Sequence, residues 1–194
     1  PDPTYWVKWQ LGTLVPRLLW KEEWDEGVKR FSVLNKASSA SPSKKIYIGI
    51  HLHTETKYGY EKNWPLSHFE DLFDRLIDEK GREVILFGHR PHPVIERPGL
   101  IDLRGKTRLI EMLSIIKNCC SHLLVPDSGI LSVIYYLDLS FPIQIVSLWA
   151  DPRQGILKQG VASPNPELTH TPLVAKNGDL TQVSVVAVLE ALSC

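Results

Sequence analysis

The strongest constraint in this sequence is a repeated alternation that begins at about residue 45. Short apolar, β-branched runs recur at "KIYIGIHLH" (45–53), "REVILFG" (82–88), "LIDLRG" (100–105), "HLLVP" (122–126) and "PIQIVSLW" (142–149). Between them lie segments with helical spacing: "PLSHFEDLFDRLIDEKG" (65–81), "TRLIEMLSIIKNC" (107–119) and "SGILSVIYYLD" (128–138), and "LTQVSVVAVLEALSC" (180–194) closes the chain. Strands that alternate with helices require crossover connections, and these make a mostly parallel sheet. The strand runs are continuously apolar, as expected when helices cover both faces. The expected fold class is α/β, a doubly wound, mostly parallel sheet.

Local signals sharpen this outline. In 65–81 the residues Phe69, Leu72, Phe73, Leu76 and Ile77 share one face, Ser67 and Glu70 have capping-box spacing, and Gly81 supplies a stop. Leu109, Met112, Leu113 and Ile116 mark the buried face of the next helix. Ahead of the alternation, residues 1–35 carry Trp6, Trp9, Trp20 and Trp24, and apolar spacing from Leu18 to Phe31 predicts a helix. The stretch "NKASSASPSKK" (35–45) reads as a linker. We therefore divide the chain into a helical connector and linker over 1–44 and an α/β domain over 45–194.

Composition excludes several classes. Twenty-two basic residues balance 22 acidic ones, so no overall positive field argues for nucleic acid or an anionic membrane. The three cysteines, Cys119, Cys120 and Cys194, have neither metal-ligand spacing nor the makings of a disulfide framework, which points to a reducing, cytoplasmic setting. Cys119 and Cys120 read as small, partly buried residues at a helix end. No signal peptide and no membrane-spanning run is visible in the sequence. A chain that opens on proline, with Met112 its only methionine, reads as a piece of a longer protein.

In sheets of this kind ligands bind at the carboxyl ends of the strands. The loops leaving those ends carry Lys57, Lys62, His89, Arg90, Arg104, Lys106, Thr107 and Arg153, a rim suited to an anion. The turn Pro126-Asp127-Ser128-Gly129 joins a strand to a helix, where Ser128 can cap and Gly129 leaves room for close approach. Asp127 would repel a bare phosphate, but a carboxylate accepts sugar hydroxyls. Together these features suit a nucleotide sugar, and taken alone the turn reads as a plain N-cap. Lys62, by itself a surface lysine, stands just before a helix from which its ammonium can reach a phosphate. Trp64 reads as a packing residue. His51, His53, His89 and His92 lack a coherent metal-ligand spacing, so no metal is expected.

The order of these motifs resembles the carboxyl-terminal half of the ADP-heptose:lipopolysaccharide heptosyltransferases, a GT-B glycosyltransferase family. The resemblance rests on Lys62-Asn63-Trp64-Pro65, the following helix, a strand ending in Phe87-Gly88, "LRGKTRLIEMLSIIKNC" (103–119) and "LLVPDSG" (123–129), and covers about residues 45–150. It implies the Rossmann-like, donor-binding half of a GT-B enzyme. By resemblance, Lys62 contacts the donor diphosphate; Asp127, Ser128 and Gly129 hold diphosphate and sugar; Thr54 touches phosphate; Lys106 and Thr107 lie near the base; and Gly88 lines the same cleft. It further implies inverting transfer without metal or cofactor. The acceptor, a lipopolysaccharide core, and the general base would belong to an amino-terminal domain preceding residue 1, so no catalytic residue is expected here. The setting implied is the cytoplasmic face of the inner membrane. The tryptophans of residues 1–24 are the candidates for a peripheral membrane contact, with burial on the α/β domain as the alternative.

Three positions depart from the family pattern. Ser132 stands where a histidine follows the D-[ST]-G turn, His51-Leu52-His53 replaces H-P-G, and Ile134, Tyr135 and Tyr136 replace small residues. Losing an imidazole contact to phosphate would cost about 1–3 kcal/mol. These departures support a second expectation, a non-catalytic relative that uses the fold for binding or assembly. A different nucleotide-sugar enzyme is the third. No G-x-S-x-G, G-x-G-x-x-G or Walker sequence occurs, which disfavours hydrolase, dinucleotide and P-loop chemistries.

Overall fold

The computed structural model describes residues 16–31, 34, 46–56 and 61–193. Its centre is a six-stranded, wholly parallel sheet. In chain order the elements are β1 (Leu18–Leu19), a 3-10 helix (Glu22–Arg30), β2 (Tyr47–His51) and α1 (Leu66–Phe73, extended by a π-type segment Asp74–Glu79). Next come β3 (Glu83–Phe87), β4 (Leu100–Asp102), α2 (Leu109–Cys119), β5 (Cys120–Pro126), α3 (Gly129–Tyr135), β6 (Leu137–Asp138) and β7 (Ile143–Trp149). The chain closes with α4 (Gly155–Gln159), β8 (Leu168–Val174) and α5 (Val185–Leu192). The sheet order is β4-β3-β2-β5-β7-β8, and β1 pairs with β6 in a separate two-stranded ladder.

The period of two along each strand divides the core between the two faces. Ile85, Phe87, Leu123, Val125 and Ile145 point to one face, beneath Leu113 and Ile116 of α2 and Leu131 and Ile134 of α3. Ile48, Ile50, Val84, Leu86, Leu124 and Val146 point to the other, beneath Phe69, Leu72 and Leu76 of the first helix and Val188 and Leu192 of α5. Both faces are therefore covered, and the expected doubly wound α/β class is the observed one. Gly49 is the small residue in β2, and a Cβ there would come within 3.0 Å of the Phe87 ring.

The 14 residues from Leu66 to Glu79 form one continuous helical segment, as the sequence predicts. Its stop is also as predicted: Gly81 has φ +62°, and its N–H donates to Ile77 O. Its start differs. Pro65 is the N-cap, with no side-chain hydrogen bond, so Ser67 and Glu70 lie inside the first turn and form no capping box. Cys119 ends α2, Cys120 opens β5, and both are buried and outside any disulfide.

The amino-terminal segment corrects a second expectation. Leu18 and Leu19 pair with Leu137 and Asp138, and Leu18 N–H donates to Tyr136 O, so their backbone belongs to a ladder rather than a helix. The 3-10 helix that follows docks on α2. Asp25 accepts from Lys117 Nζ at 2.7 Å and from Asn118 Nδ2 at 2.8 Å, and Arg30 pairs with Glu111. A Cβ on Gly27 would meet Glu111 Cα at 3.2 Å, so the approach is close. Trp20 packs against the α2 face of the core with Trp24 edge-on to it. Trp6, Trp9 and the linker 35–45 lie outside the described residues, as do Lys57 and Cys194. No described helix is long and apolar enough to cross a membrane.

Candidate functional site

The strand order fixes where a ligand can lie. From β2 the chain moves through β3 to β4 on one side, then returns to β5, β7 and β8 on the other. The connections leaving β2 and β5 therefore diverge, and a crevice opens at the carboxyl ends of these two strands. The first connection carries Thr54 and Lys62, and the second carries Asp127, Ser128 and Gly129.

Across that crevice Lys62 Nζ donates to Asp127 Oδ2 at 2.7 Å. Both side chains are largely buried, with 14% of the lysine and 9% of the aspartate exposed. Desolvated pairs of this kind hold a fixed geometry that surface pairs do not. The lysine loop is braced from within. Thr54 N–H donates to Asn63 Oδ1 at 2.7 Å, and Asn63 Nδ2 returns a bond to Thr54 O at 3.0 Å. Glu61 Oε1 accepts from the backbone N–H groups of Lys62 and Asn63. Trp64 anchors the loop to the domain as a packing residue, its Nε1 donating to Val183 O at 2.8 Å and its ring edge-on to Phe69.

On the other side, Ser128 is the N-cap of α3, its Oγ accepting from Leu131 N–H at 3.3 Å. Ser132 Oγ turns back to donate to Ser128 O at 3.5 Å. Asp127 rests against Gly155, where a Cβ would stand 2.8 Å from Asp127 Oδ1 and 2.9 Å from the Trp149 ring. With φ +48°, Gly155 meets two demands that a side chain would violate. Neither Gly155 nor Trp149 carries a sequence signal for this role; the contact exists only because β5 and β7 are neighbours.

Beside the pair a cavity of about 320 Å³ opens on the α2 face, bordered by His51, Thr54, Gly88, Thr107, Met112 and Ile130. His51 is buried, with no hydrogen-bond partner for Nδ1. Burial, with a smaller contribution from His53, lowers its pKa to about 4, so the imidazole is neutral at physiological pH. Thr54, Gly88 and Thr107 thus meet at one cavity; Lys62 and Asp127 do not line it and adjoin it through the Asn63–Thr54 bonds and the start of α3 at Ile130. The sequence offers His51 as a metal ligand and as part of the loop that departs from H-P-G, not as a cavity wall, and Met112 reads there as a residue of the buried helix face.

Three cations of the expected rim lie elsewhere. Arg104 is only 1% exposed. It is clamped by Asp102, whose Oδ1 accepts from Nε at 2.9 Å and Oδ2 from Nη2 at 2.7 Å, while Nη2 also donates to Pro93 O. Burial would raise the Asp102 carboxyl, but the bonds from Arg104 outweigh it and hold the carboxyl below its ordinary value. Arg104 is a structural cation beneath Gly88, with its Cγ 3.5 Å from the place a Gly88 Cβ would occupy. Lys106 directs its ammonium to Asp102 O at 2.8 Å and does not border the cavity. Arg153 is exposed and pairs with Asp151. Among the described residues no group of three or more His, Cys, Asp or Glu side chains could hold a metal ion.

Comparison with known proteins agrees with this layout. The chain is similar to three solved structures, all of which share its fold. Escherichia coli ADP-heptose LPS heptosyltransferase II is 24% identical with a TM-score of 0.59, and the match covers 93% of this chain and 53% of that one. A family 9 glycosyl transferase from Veillonella parvula is 18% identical with a TM-score of 0.61, covering 91% and 52%. E. coli heptosyltransferase WaaC with ADP is 15% identical with a TM-score of 0.55, covering 84% and 46%. The chain therefore spans about half the length of these proteins. No curated protein sequence matches it. The family model of glycosyltransferase family 9 matches residues 21–133, more than half of the chain's 194 residues, and includes the lysine loop, the cavity and the Asp127 turn. This chain belongs to glycosyltransferase family 9, the heptosyltransferase family.

Proposed function

We propose that this chain is the donor-binding half of a heptosyltransferase, holding a nucleotide sugar, ADP-heptose first among the candidates, for transfer to a lipopolysaccharide core acceptor. The observation that carries this reading is the meeting of Lys62 and Asp127 over the switch point of the sheet, beside a nucleoside-sized cavity. The base lies in the cavity against Thr107 and Met112. The diphosphate reaches Lys62 and the Thr54 loop, with Ser128 and Gly129 on its far side. Asp127 accepts hydroxyls of the sugar and holds the Lys62 ammonium in place before the donor arrives. A pre-positioned cation loses little on meeting the diphosphate, because its side-chain freedom is already spent.

Among the described residues no group stands ready as the general base. Residues 1–44 serve as the connector to a further, amino-terminal domain that supplies the base and the acceptor, and transfer follows closure of that domain over the donor at the cytoplasmic face of the membrane. The reaction needs neither metal nor cofactor, since Lys62 supplies the charge for the leaving diphosphate.

A second reading rests on α3. Ser132 is turned back on its own helix, and the Tyr135 and Tyr136 hydroxyls are tied to Val161 O and Gln159 Oε1. This is a turn without the family histidine, as in a non-catalytic relative that keeps the fold for another binding or assembly role. Calorimetric titration of the chain with ADP, ADP-heptose, UDP and GDP separates the readings. Saturable binding of ADP with tighter binding of ADP-heptose supports the donor site, tighter UDP or GDP reassigns the donor, and no nucleotide binding favours the second reading.

A further inference from the structure

A second cavity, of about 260 Å³, opens on the opposite, α1 face of the same sheet edge. Its floor is apolar and buried: Leu52, Trp64 and Phe69. Its rim carries the Arg90 guanidinium and the imidazoles of His53 and His92, and no carboxylate borders it. Among the described residues no hydrogen bond or ion pair holds these three side chains. Arg17, Arg30, Arg75, Arg97, Arg104 and Arg153 each face a carboxylate, whereas Arg90, like Arg82 and Arg108, makes no ion pair among the described residues, and of these three only Arg90 borders this cavity. An arginine and two histidines, all exposed, stand above an apolar floor, and the nearby Glu61 carboxylate is spent on Asn63 Nδ2 at 2.8 Å and on two backbone N–H groups.

We infer that this cavity is a second binding site, for a small organic anion: a phosphate or carboxylate carried on a single ring. The ring covers the Trp64 and Phe69 floor, and the anionic group meets Arg90 between His53 and His92. A guanidinium pairs with either anion in a two-pronged geometry that an ammonium does not match. His53 and Arg90 also border the nucleoside-sized cavity, and Asn63, which braces Thr54, lines this one. A ligand here therefore touches the wall between the two sites. The inference goes beyond the donor reading and does not rest on it, because ADP binding can fail while this cavity remains intact.

The test is a titration of the full chain with phenyl phosphate, glucose 6-phosphate and inorganic phosphate, followed through backbone amides by 1H–15N spectroscopy. Saturable shifts at Leu52–Thr54, Asn63, Trp64, Leu66 and His92 are expected. Phenyl phosphate or glucose 6-phosphate should bind more tightly than inorganic phosphate, and the tighter of the two tells whether the ring is aromatic or a sugar. Arg90→Gln should weaken that binding roughly tenfold or more. Arg90 is exposed, so the variant is expected to keep the parent's spectrum elsewhere. Shifts confined to Gly88, Thr107 and Met112, equal affinity for inorganic phosphate, or an unchanged affinity in Arg90→Gln would each overturn the assignment.

Discussion

Two buried ion pairs lie near the carboxyl edge of this sheet, and they differ in what they can do. Arg104 and Asp102 are two positions apart, share three hydrogen bonds and leave 1% and 19% of their side chains exposed. With Nη2 also spent on Pro93 O, this pair has little to offer a ligand and closes the loop after β4. Lys62 and Asp127 are 65 positions apart and join two elements across a crevice. An ammonium with three donors can keep Asp127 while meeting a second anion. The local pair is a clamp, and the distant pair is a poised site.

Arg104→Ala should give the largest effect. It strands the Asp102 carboxylate and empties a buried volume, and removing one partner of a buried pair costs about 3–5 kcal/mol. Chemical denaturation would measure it, and a loss under about 1 kcal/mol would undo the clamp half of the comparison. Lys62→Ala and Asp127→Ala should behave in the opposite way, leaving the chain folded but weakening nucleotide-sugar binding by roughly ten- to a hundredfold, as for a charge-assisted contact. Equal affinity in both variants and the parent would remove these residues from the site.

Gly155→Ala sharpens the contrast further. The new methyl would press on Asp127 Oδ1 and on the Trp149 ring at a positive φ, a strain of about 1–3 kcal/mol. Donor affinity should fall with stability, whereas a change in stability alone would mean that Gly155 does not set the position of Asp127.

A further effect concerns pH and lies outside both pairs. Burial lowers the His170 pKa to about 4 from its ordinary 6.5. Its Nε2 is hydrogen-bonded to Ser147 Oγ at 2.6 Å, and Ser147 Oγ also accepts from Trp149 Nε1. The unfolded chain binds the proton first as pH falls, so this stabilisation is complete above pH 6.5 and is lost between 6.5 and 4, by at most about 1.4 kcal/mol per pH unit. His51 has the same sign and window. His170→Gln should flatten the slope of stability between pH 4 and 6.5, and an unchanged slope would place the titration elsewhere.

Much of the fold was legible because burial on both faces leaves a direct trace. The runs over β2, β3, β5 and β7 are apolar at almost every position, and the face of the Phe69–Ile77 helix follows its 3.6 period. β8 escaped notice because it is an edge strand: Thr169, Thr171 and Pro172 interrupt its apolar residues, and several of its side chains face solvent. The β1–β6 ladder involves two residues a side and has no pattern to read. In the site, the motif residues could be named singly, but not their partners. Arg104 and Lys62 look alike as loop cations, and only the folded chain separates the one held beneath Gly88 from the one aimed across the crevice.

The sequence by itself determined the α/β class, the order of its main elements and which loops leave the carboxyl ends of the strands, because periodicity and continuous apolar runs are local properties. It also carried the family, through motifs in order. Only the tertiary structure decided that β2 and β5 are neighbours at a switch point, that Lys62 meets Asp127, that Gly155 supports the aspartate, and that an apolar cavity lies behind Arg90. Each of these is a contact between residues far apart in the chain, and such contacts are fixed by strand order and packing rather than by any local preference.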